Sequence, residues 1–524
     1  MTTKGTKRKP TFKQMAFETA VRNPERYMGI IAAVKKYEGV VLDDDNLLDI
    51  VSNLYLTGEV TSEKISISEN TKIGDIVEDV KKTNATRRAD GGFPEGYASR
   101  FWTYMRTLSE LGFVYAQYNK SFKISDIGRK LIEGEIDEQE AFSIQAMKFN
   151  RQSPYRNVSN DYNFFRLALE VLICLKKKGS KLSYEQFVVL MFNQSGNSKE
   201  TLDILEENTF SDEGDVHKFV SEHYGSKLKV NTVTRDYPDV VRRLMVISGF
   251  VTIRYAGKKF IEINENKLNY INAMLSLEFI LKDEEKADPK AYFDKLDSQN
   301  EQYLELVHKY RNEDAIDGDE YRNKIHQIIS IYEITEEKIL ESIKAIGDPR
   351  NEVIPEFKEI PAPLKLEFYI SILIALRYKD RFSIRPNYKA DHIGKPYSHA
   401  PGNYGDIDVY SDDIYWLIEV TLIRNKAQQM NNETTSVIRH LDADEEFKYY
   451  SSKYLSFIAP TIHDDTRSFF DVAVVQSQVA KQKIHIKPYT VQSFVQVTQA
   501  EENLQDMEEY TKLVFDKFRD QIAN

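Results

Sequence analysis

Asp406, Asp408 and Glu419 lie in GDIDVYSDDIYWLIEVTL (405–422), a stretch whose remaining residues call for a core. Val409, Ile414, Leu417, Ile418, Val420 and Leu422 are apolar, and Tyr415 and Trp416 favour a packed sheet. A carboxylate in such surroundings is costly unless it is paired or holds a cation. Suppose 405–411 and 414–422 are antiparallel strands with Asp412-Asp413 as a two-residue turn. Ser411 then opposes Ile414, and Asp406 opposes Glu419. Cross-strand partners share one face at about 4.5–5.5 Å. Two carboxylates so placed suit a hard divalent cation, because Mg²⁺ keeps several waters and needs only one or two carboxylates beside a substrate phosphate. By the same count Asp408 opposes Leu417, and a one-residue change in the turn would bring Asp408 in for Asp406. For any one of these acids alone, a polar cluster at a sheet edge is the simpler reading.

Two further acids sit on flanking elements. Glu367, in PAPLKLEFYISILIALRY, falls on an amphipathic helix before the hairpin, among apolar residues that must pack on a sheet. Glu433, in NKAQQMNNETTSVIRHL, falls on a helix after the Glu419 strand, with Arg439 and His440 about two turns further on. Either could also lie on a solvated helix face. The proline-rich GDPRNEVIPEFKEIPAPLKLEF (347–368) separates this region from what precedes it. Beyond it, YWLIEVTLI, KYLSFIAPTI, FDVAVVQS and KIHIKPYTV read as apolar strands and helices of an α/β domain over 355–524.

Upstream there is a weak internal repeat. Residues 97–132 and 237–268 each give a helix with basic residues, then LGFV or SGFV, then a strand, a turn and a strand. FVTIRYAGKKFIEI alternates as a hairpin with Ala-Gly at its turn. Helix followed by hairpin is the layout of a winged helix-turn-helix, whose helix can enter a DNA major groove and whose wing can touch backbone. Two helix–hairpin packing units without a ligand would look the same. Arg87, Arg88, Arg100 and Arg106 surround the first unit, and Arg242 and Arg243 lie on the matching helix of the second. Arginine can pair bidentately with guanine or clamp phosphate, which makes these six the candidate DNA contacts. Ser183 is placed to cap the helix that begins at Tyr184. The expected organisation is a recognition domain over 1–140, a second over 141–275, a helical linker over 276–354 and the α/β domain over 355–524.

Bulk properties narrow the class. With 524 residues, the chain has room for several domains. Net charge is -11, which argues against indiscriminate polyanion binding. Charge is segregated, however: residues 1–130 hold 21 Lys+Arg against 17 Asp+Glu. The basic N-terminus has no apolar segment of a secretory signal, and no run of 18 apolar residues suggests a membrane span. The single cysteine, Cys174, cannot form an internal disulfide and lies on an apolar helix. A cytoplasmic, membrane-free protein is expected.

An Asp, a dozen residues, and then a Glu on an apolar strand, all following a Glu-bearing helix, resembles the PD-(D/E)XK nuclease core. GNYGDIDVY followed by LIEVTL is similar, more narrowly, to the AlwI family of type IIS restriction endonucleases and the related site-specific nicking endonucleases. The resemblance implies winged-helix recognition domains joined by a helical linker to a mixed-sheet nuclease domain. It implies a Mg²⁺-dependent deoxyribonuclease that binds a short asymmetric duplex site and cuts at a distance. Asp406 and Glu419 become metal ligands and Glu367 a supporting acid. The family's usual third motif residue is lysine, and here it is Thr421; Lys426 or the Glu433–His440 helix would have to substitute. One such site cuts one strand, so double-strand cleavage implies a homodimer or a second nuclease subunit, and the protein otherwise nicks. The competing class is a winged-helix DNA-binding protein whose nuclease-like domain is inactive.

Overall fold

YASRFWTYMRTLSE places apolar side chains at helical spacing, and it forms a helix, Gly96–Glu110, that buries Tyr97, Phe101, Met105 and Leu108. The computed structural model describes residues 17–19, 21–67, 71–83, 96–156, 158–224, 231–311, 318–346, 352–379, 381–400, 404–424, 429, 434–441 and 450–523. After this helix, β1 (Val114–Tyr115) and β2 (Lys123–Ile124) pair antiparallel. A bridge from Val41 to Ser121 ties the preceding helices to this short hairpin.

The second helix–hairpin segment is fuller. β3 (Leu182–Ser183) runs into a helix, Tyr184–Leu190, capped as expected by Ser183. The Ser183 hydroxyl accepts from Gln186 N at 3.2 Å, and the Gln186 side chain accepts from Ser183 N at 2.8 Å. Helix Tyr237–Ile247 then leads to β4 (Val251–Ala256) and β5 (Lys258–Ile263). The sheet order is β3-β5-β4, all antiparallel. Ala256 and Lys258 are register partners, so the turn is made by Gly257 alone rather than by Ala-Gly. Its φ of 71° is left-handed backbone that glycine adopts without steric cost.

The described residues divide into two compact units, Met1–Arg311 and Asn312–Asn524. The helical stretch 276–354 is shared between them. Helices Pro289–Leu296 and Asn300–Tyr310 pack on the first unit. There the buried Lys148 ammonium donates to Leu296 O at 2.9 Å and to the Asn300 side chain. In the second unit Ile325, Ile328, Ile339 and Ile343 join the core under helix Ala362–Tyr378.

That unit is built on a mixed sheet. Its strands are β6 (Ser383–Pro386), β9 (Ile407–Tyr410), β10 (Ile414–Val420), β11 (Ser452–Ala459) and β12 (Ile484–Thr490). A side hairpin of β7 (Lys389–Ala390) and β8 (Pro396–Ser398) lies between β6 and β9 in sequence. The order is β12-β11-β10-β9-β6, with β10, β11 and β12 parallel and β9 and β6 antiparallel. Strands buried on both faces carry near-continuous apolar runs, as β10 and β11 do. Trp416, Ile418 and Val420 meet helix Ala362–Tyr378 on one face. Tyr415 and Leu417 point to the other, with Leu455, Phe457, Val437 and Phe470. No helix among the described residues is long and apolar enough to cross a membrane.

Candidate functional site

The Asp412-Asp413 turn sets the register of the acidic hairpin. Ser411 N donates to Ile414 O at 2.9 Å, and Tyr410 pairs with Tyr415, Val409 with Trp416, Asp408 with Leu417 and Ile407 with Ile418. The next pair in that count is Asp406 and Glu419. Paired residues share a face, so both acids belong to the face of Leu417 and Asp408. The main-chain ladder ends there, and the Asp406 carboxylate takes over as acceptor: Val420 N donates to its Oδ2 at 2.7 Å. Glu419, only 5% exposed, lies on the side where helix Thr434–His440 packs. His440 Nδ1 donates to Glu419 Oε1 at 2.7 Å. Gly405 makes room for this carboxylate: a Cβ there would stand 2.9 Å from Glu419 Oε1 and 2.2 Å from Leu417 Cδ1.

Asp408 has a different environment. It is buried, and its Oδ2 accepts from Arg385 Nη2 at 2.8 Å, Arg385 Nε at 3.1 Å and Asn387 Nδ2 at 2.8 Å. The Tyr415 hydroxyl donates to its Oδ1 at 2.8 Å. Burial pushes this carboxyl above the usual range, against the opposing pull of Arg385, Asn387 and Tyr415. Burial and the Asp408 charge push the Tyr415 phenol well up, which keeps it a donor. Asp408 therefore cross-links β6, β9 and β10. Arg385 and Asn387 give no signal in the sequence, because nothing local ties a residue in or just after β6 to an acid more than twenty positions later.

Glu367 is buried in helix Ala362–Tyr378 at 2% exposure. His399 Nδ1 donates to its Oε1 at 2.7 Å, while Oε2 has no hydrogen-bond partner among the described residues. His399 follows β8 and escaped the sequence reading; its only signal was its place seven residues before Asp406 in SHAPGNYGD. Thr421, where the resemblance leads one to expect lysine, is buried and accepts from Ile423 N at 3.1 Å. Glu433 and Lys426 lie outside the described residues. Among those described, no group of three or more His, Cys, Asp or Glu side chains is gathered as a metal cage.

The arginines separate by exposure. Arg87 and Arg88 lie outside the described residues. Arg100 is exposed on helix Gly96–Glu110, and Arg106, exposed on the same helix, pairs with Glu18 at 3.4 Å. Arg242 is a correction to the expected surface contact: it is 2% exposed and donates to Asp239 at 2.6 Å, because its position on helix Tyr237–Ile247 faces the core. As placed, it offers no donor at the surface. Arg243 is partly exposed and is held by Asp239 at 3.1 Å and Asn23 at 3.0 Å.

Comparison with known proteins gives one family. The model described as AlwI restriction endonuclease matches residues 109–339 and 294–497. None of the curated proteins compared matches the chain. Among solved structures, the chain is similar to the small subunit of the heterodimeric restriction endonuclease R.BspD6I, at 21% identity and a TM-score of 0.26, over 35% of this chain and 96% of that one. It is also similar to the BpuJ1 endonuclease binding domain, crystallised with pyrene- and phenanthrene-modified DNA, at 13% identity and a TM-score of 0.32, over 52% of this chain and 91% of that one.

Proposed function

The chain belongs to the AlwI restriction endonuclease family, and from that premise we propose that it is a site-specific, Mg²⁺-dependent DNA endonuclease of the type IIS or strand-nicking kind. The observation that carries this reading is the Asp406–Glu419 pair, set opposite each other by the hairpin register and flanked by His440. Oxygen donors of this kind fit Mg²⁺, which takes one or two carboxylates and completes its shell with water and phosphate. The buried Glu367 Oε2, without a hydrogen-bond partner among the described residues, is a third oxygen of the same chemistry. When bound, such an ion lowers the pKa of a water and stabilises the charge that develops at the scissile phosphate. The protein's own contribution is to hold Asp406 through Val420 N and Glu419 through His440, so that neither carboxylate must reorganise during the reaction.

Recognition falls, on this reading, to the first unit. Its β3-β5-β4 sheet with helix Tyr237–Ile247 before the hairpin has the order of a winged helix, and helix Gly96–Glu110 with β1 and β2 is a shorter version. Arg100, Arg106 and Arg243 are the candidate contacts among the described residues, with Arg87 and Arg88 beside them in sequence. Glu433 joins the site as a candidate acid from its sequence position. One chain then cuts one strand, and a second copy or a second nuclease subunit is required for both. Thr421, buried and bonded to its own turn, favours the second reading, a DNA-binding protein with an inactive nuclease-like unit. Incubating the full chain with supercoiled plasmid in Mg²⁺ and in EDTA separates the two. Site-specific nicked or linear product in Mg²⁺ alone supports the endonuclease, and specific binding without cutting supports the alternative.

A further inference from the structure

Glu367 and its neighbour pose a physical problem. A carboxylate this deep inside a helix packed on a sheet needs partners for both oxygens, and only Oε1 has one among the described residues. A buried polar atom without a partner in a native structure calls for a specific cause, such as a bound water or ion or a catalytic role. The buried Asp408 and the half-buried Glu352 illustrate the contrast. Asp408 has both oxygens occupied by three side chains, and Glu352 has Lys365 on one oxygen and the Tyr369 hydroxyl on the other at 2.9 Å. Glu367 alone of these has one oxygen held and one left over.

The holding partner is a histidine, and the same arrangement occurs at Glu419. In both pairs an imidazole Nδ1 meets Oε1 at 2.7 Å. Imidazole–carboxylate pairing of this kind fixes the rotamer of the acid and the direction of its second oxygen. Ser371 and the other polar groups on the helix do not do this: the Ser371 hydroxyl donates to Glu367 O, the main chain, not to the carboxylate. The aim of Oε2 therefore depends on His399, a residue outside the helix at the end of β8 and 36% exposed at its side chain.

We propose that His399 is a positioning residue: by donating from Nδ1 to Glu367 Oε1, it presents Oε2 as a ligand for a divalent cation or for a water in that cation's shell. The inference rests on the endonuclease reading for its purpose, but its direct consequence is cation affinity, which can be read without DNA.

The test is Mn²⁺ titration of the full-length protein by calorimetry, for wild type, Glu367→Gln, His399→Ala, His399→Asn and His399→Gln, alongside plasmid cleavage. Asparagine can place an N–H near the position of Nδ1, and glutamine near that of Nε2. Wild type is expected to bind Mn²⁺. Binding should weaken about 10- to 100-fold in His399→Ala and His399→Gln, and recover to within a few-fold of wild type in His399→Asn. Glu367→Gln should match or exceed the loss in His399→Ala. A merely structural histidine would lower the melting temperature in His399→Ala without separating Asn from Gln. Equal Mn²⁺ affinity in wild type and His399→Ala, no Mn²⁺ binding by wild type, or equal loss in the Asn and Gln variants overturns the proposal. If the Mn²⁺ pattern is as expected but no variant, wild type included, cuts DNA, the positioning role stands and the endonuclease reading fails.

Discussion

Replacing Asp408 should damage the fold, whereas replacing Asp406 should damage the chemistry. Asp408→Ala removes the acceptor for Arg385, Asn387 and Tyr415 at once. Breaking a buried ion pair by deleting one partner costs about 3–5 kcal/mol, because the other charge stays desolvated. Arg385 retains 18% side-chain exposure and can draw on some water, so the lower end, about 3 kcal/mol, applies. For a unit of about 200 residues each kcal/mol shifts the midpoint by about 2–4 °C, which gives a fall of roughly 6–12 °C. Asp408→Asn should fall between wild type and alanine. Its Oδ1 can still face Arg385 and Asn387, and its amide can donate to the Tyr415 hydroxyl, which is able to accept; only the charge is lost. Scanning calorimetry of the full chain should show the transition of the second unit lowered more in Asp408→Ala than in Asp406→Ala, which loses the acceptor of Val420 N. Below that transition Asp408→Ala should still cut DNA. Wild-type melting in Asp408→Ala, or an Asp408→Ala protein that is folded and inactive while Asp406→Ala cuts, refutes the cross-link assignment and the hairpin register with it.

Burial pushes the Lys148 ammonium down to about 7 against an unfolded value near 10.4. Between those values the unfolded chain holds a proton that the folded chain does not, so stability rises with pH by up to about 1.4 kcal/mol per unit and is lost again as pH falls towards 7. Calorimetry of the first unit's transition at pH 7, 8 and 9 should show this slope in wild type and its loss in Lys148→Met. For DNA reading, Arg100→Ala should cost about 1–3 kcal/mol of binding and relax the preference at one base pair if its guanidinium meets a guanine. Arg106→Ala should cost less, since Glu18 already neutralises that side chain. Gel shifts on the cognate site and its single-base variants check both. Gly405→Ala should reduce cutting more than binding, because its Cβ would press on Leu417 and, next, on the Glu419 carboxylate; a cleavage assay beside a gel shift measures the difference.

The hairpin was legible because its information is local. A two-residue turn and an alternation of period two fix which residues face each other, and the observed register, Tyr410 with Tyr415 through Ile407 with Ile418, is the one the turn implies. The helix before it and the order of apolar strands after it were legible for the same reason. What escaped reading is long-range. Arg385 and Asn387 reach Asp408 across a strand pairing that no sequence period announces. His399 reaches Glu367 from 32 residues away. The orientation of Arg242 turned on one step of a helix: neighbours on the same helix, Arg242 and Arg243 differ in burial because helical side chains advance about 100° per residue. The turn is one residue shorter than the expected Ala-Gly, because the pairing of β4 and β5 takes Ala256 into the ladder and leaves Gly257 alone.

On the endonuclease reading, Asp406 and Glu419 form the cutting centre while DNA is held elsewhere in the chain. The most direct measurement pairs two readouts on Asp406→Ala and Glu419→Ala: specific binding to the target duplex by gel shift in Ca²⁺, and cleavage of the same duplex in Mg²⁺. The expected result is affinity within a few-fold of wild type and cleavage reduced by at least about 1,000-fold in both variants, which corresponds to about 4 kcal/mol of lost transition-state stabilisation. Cleavage at the wild-type rate in either variant, with binding unchanged, would rule out the Asp406–Glu419 pair as the cutting centre.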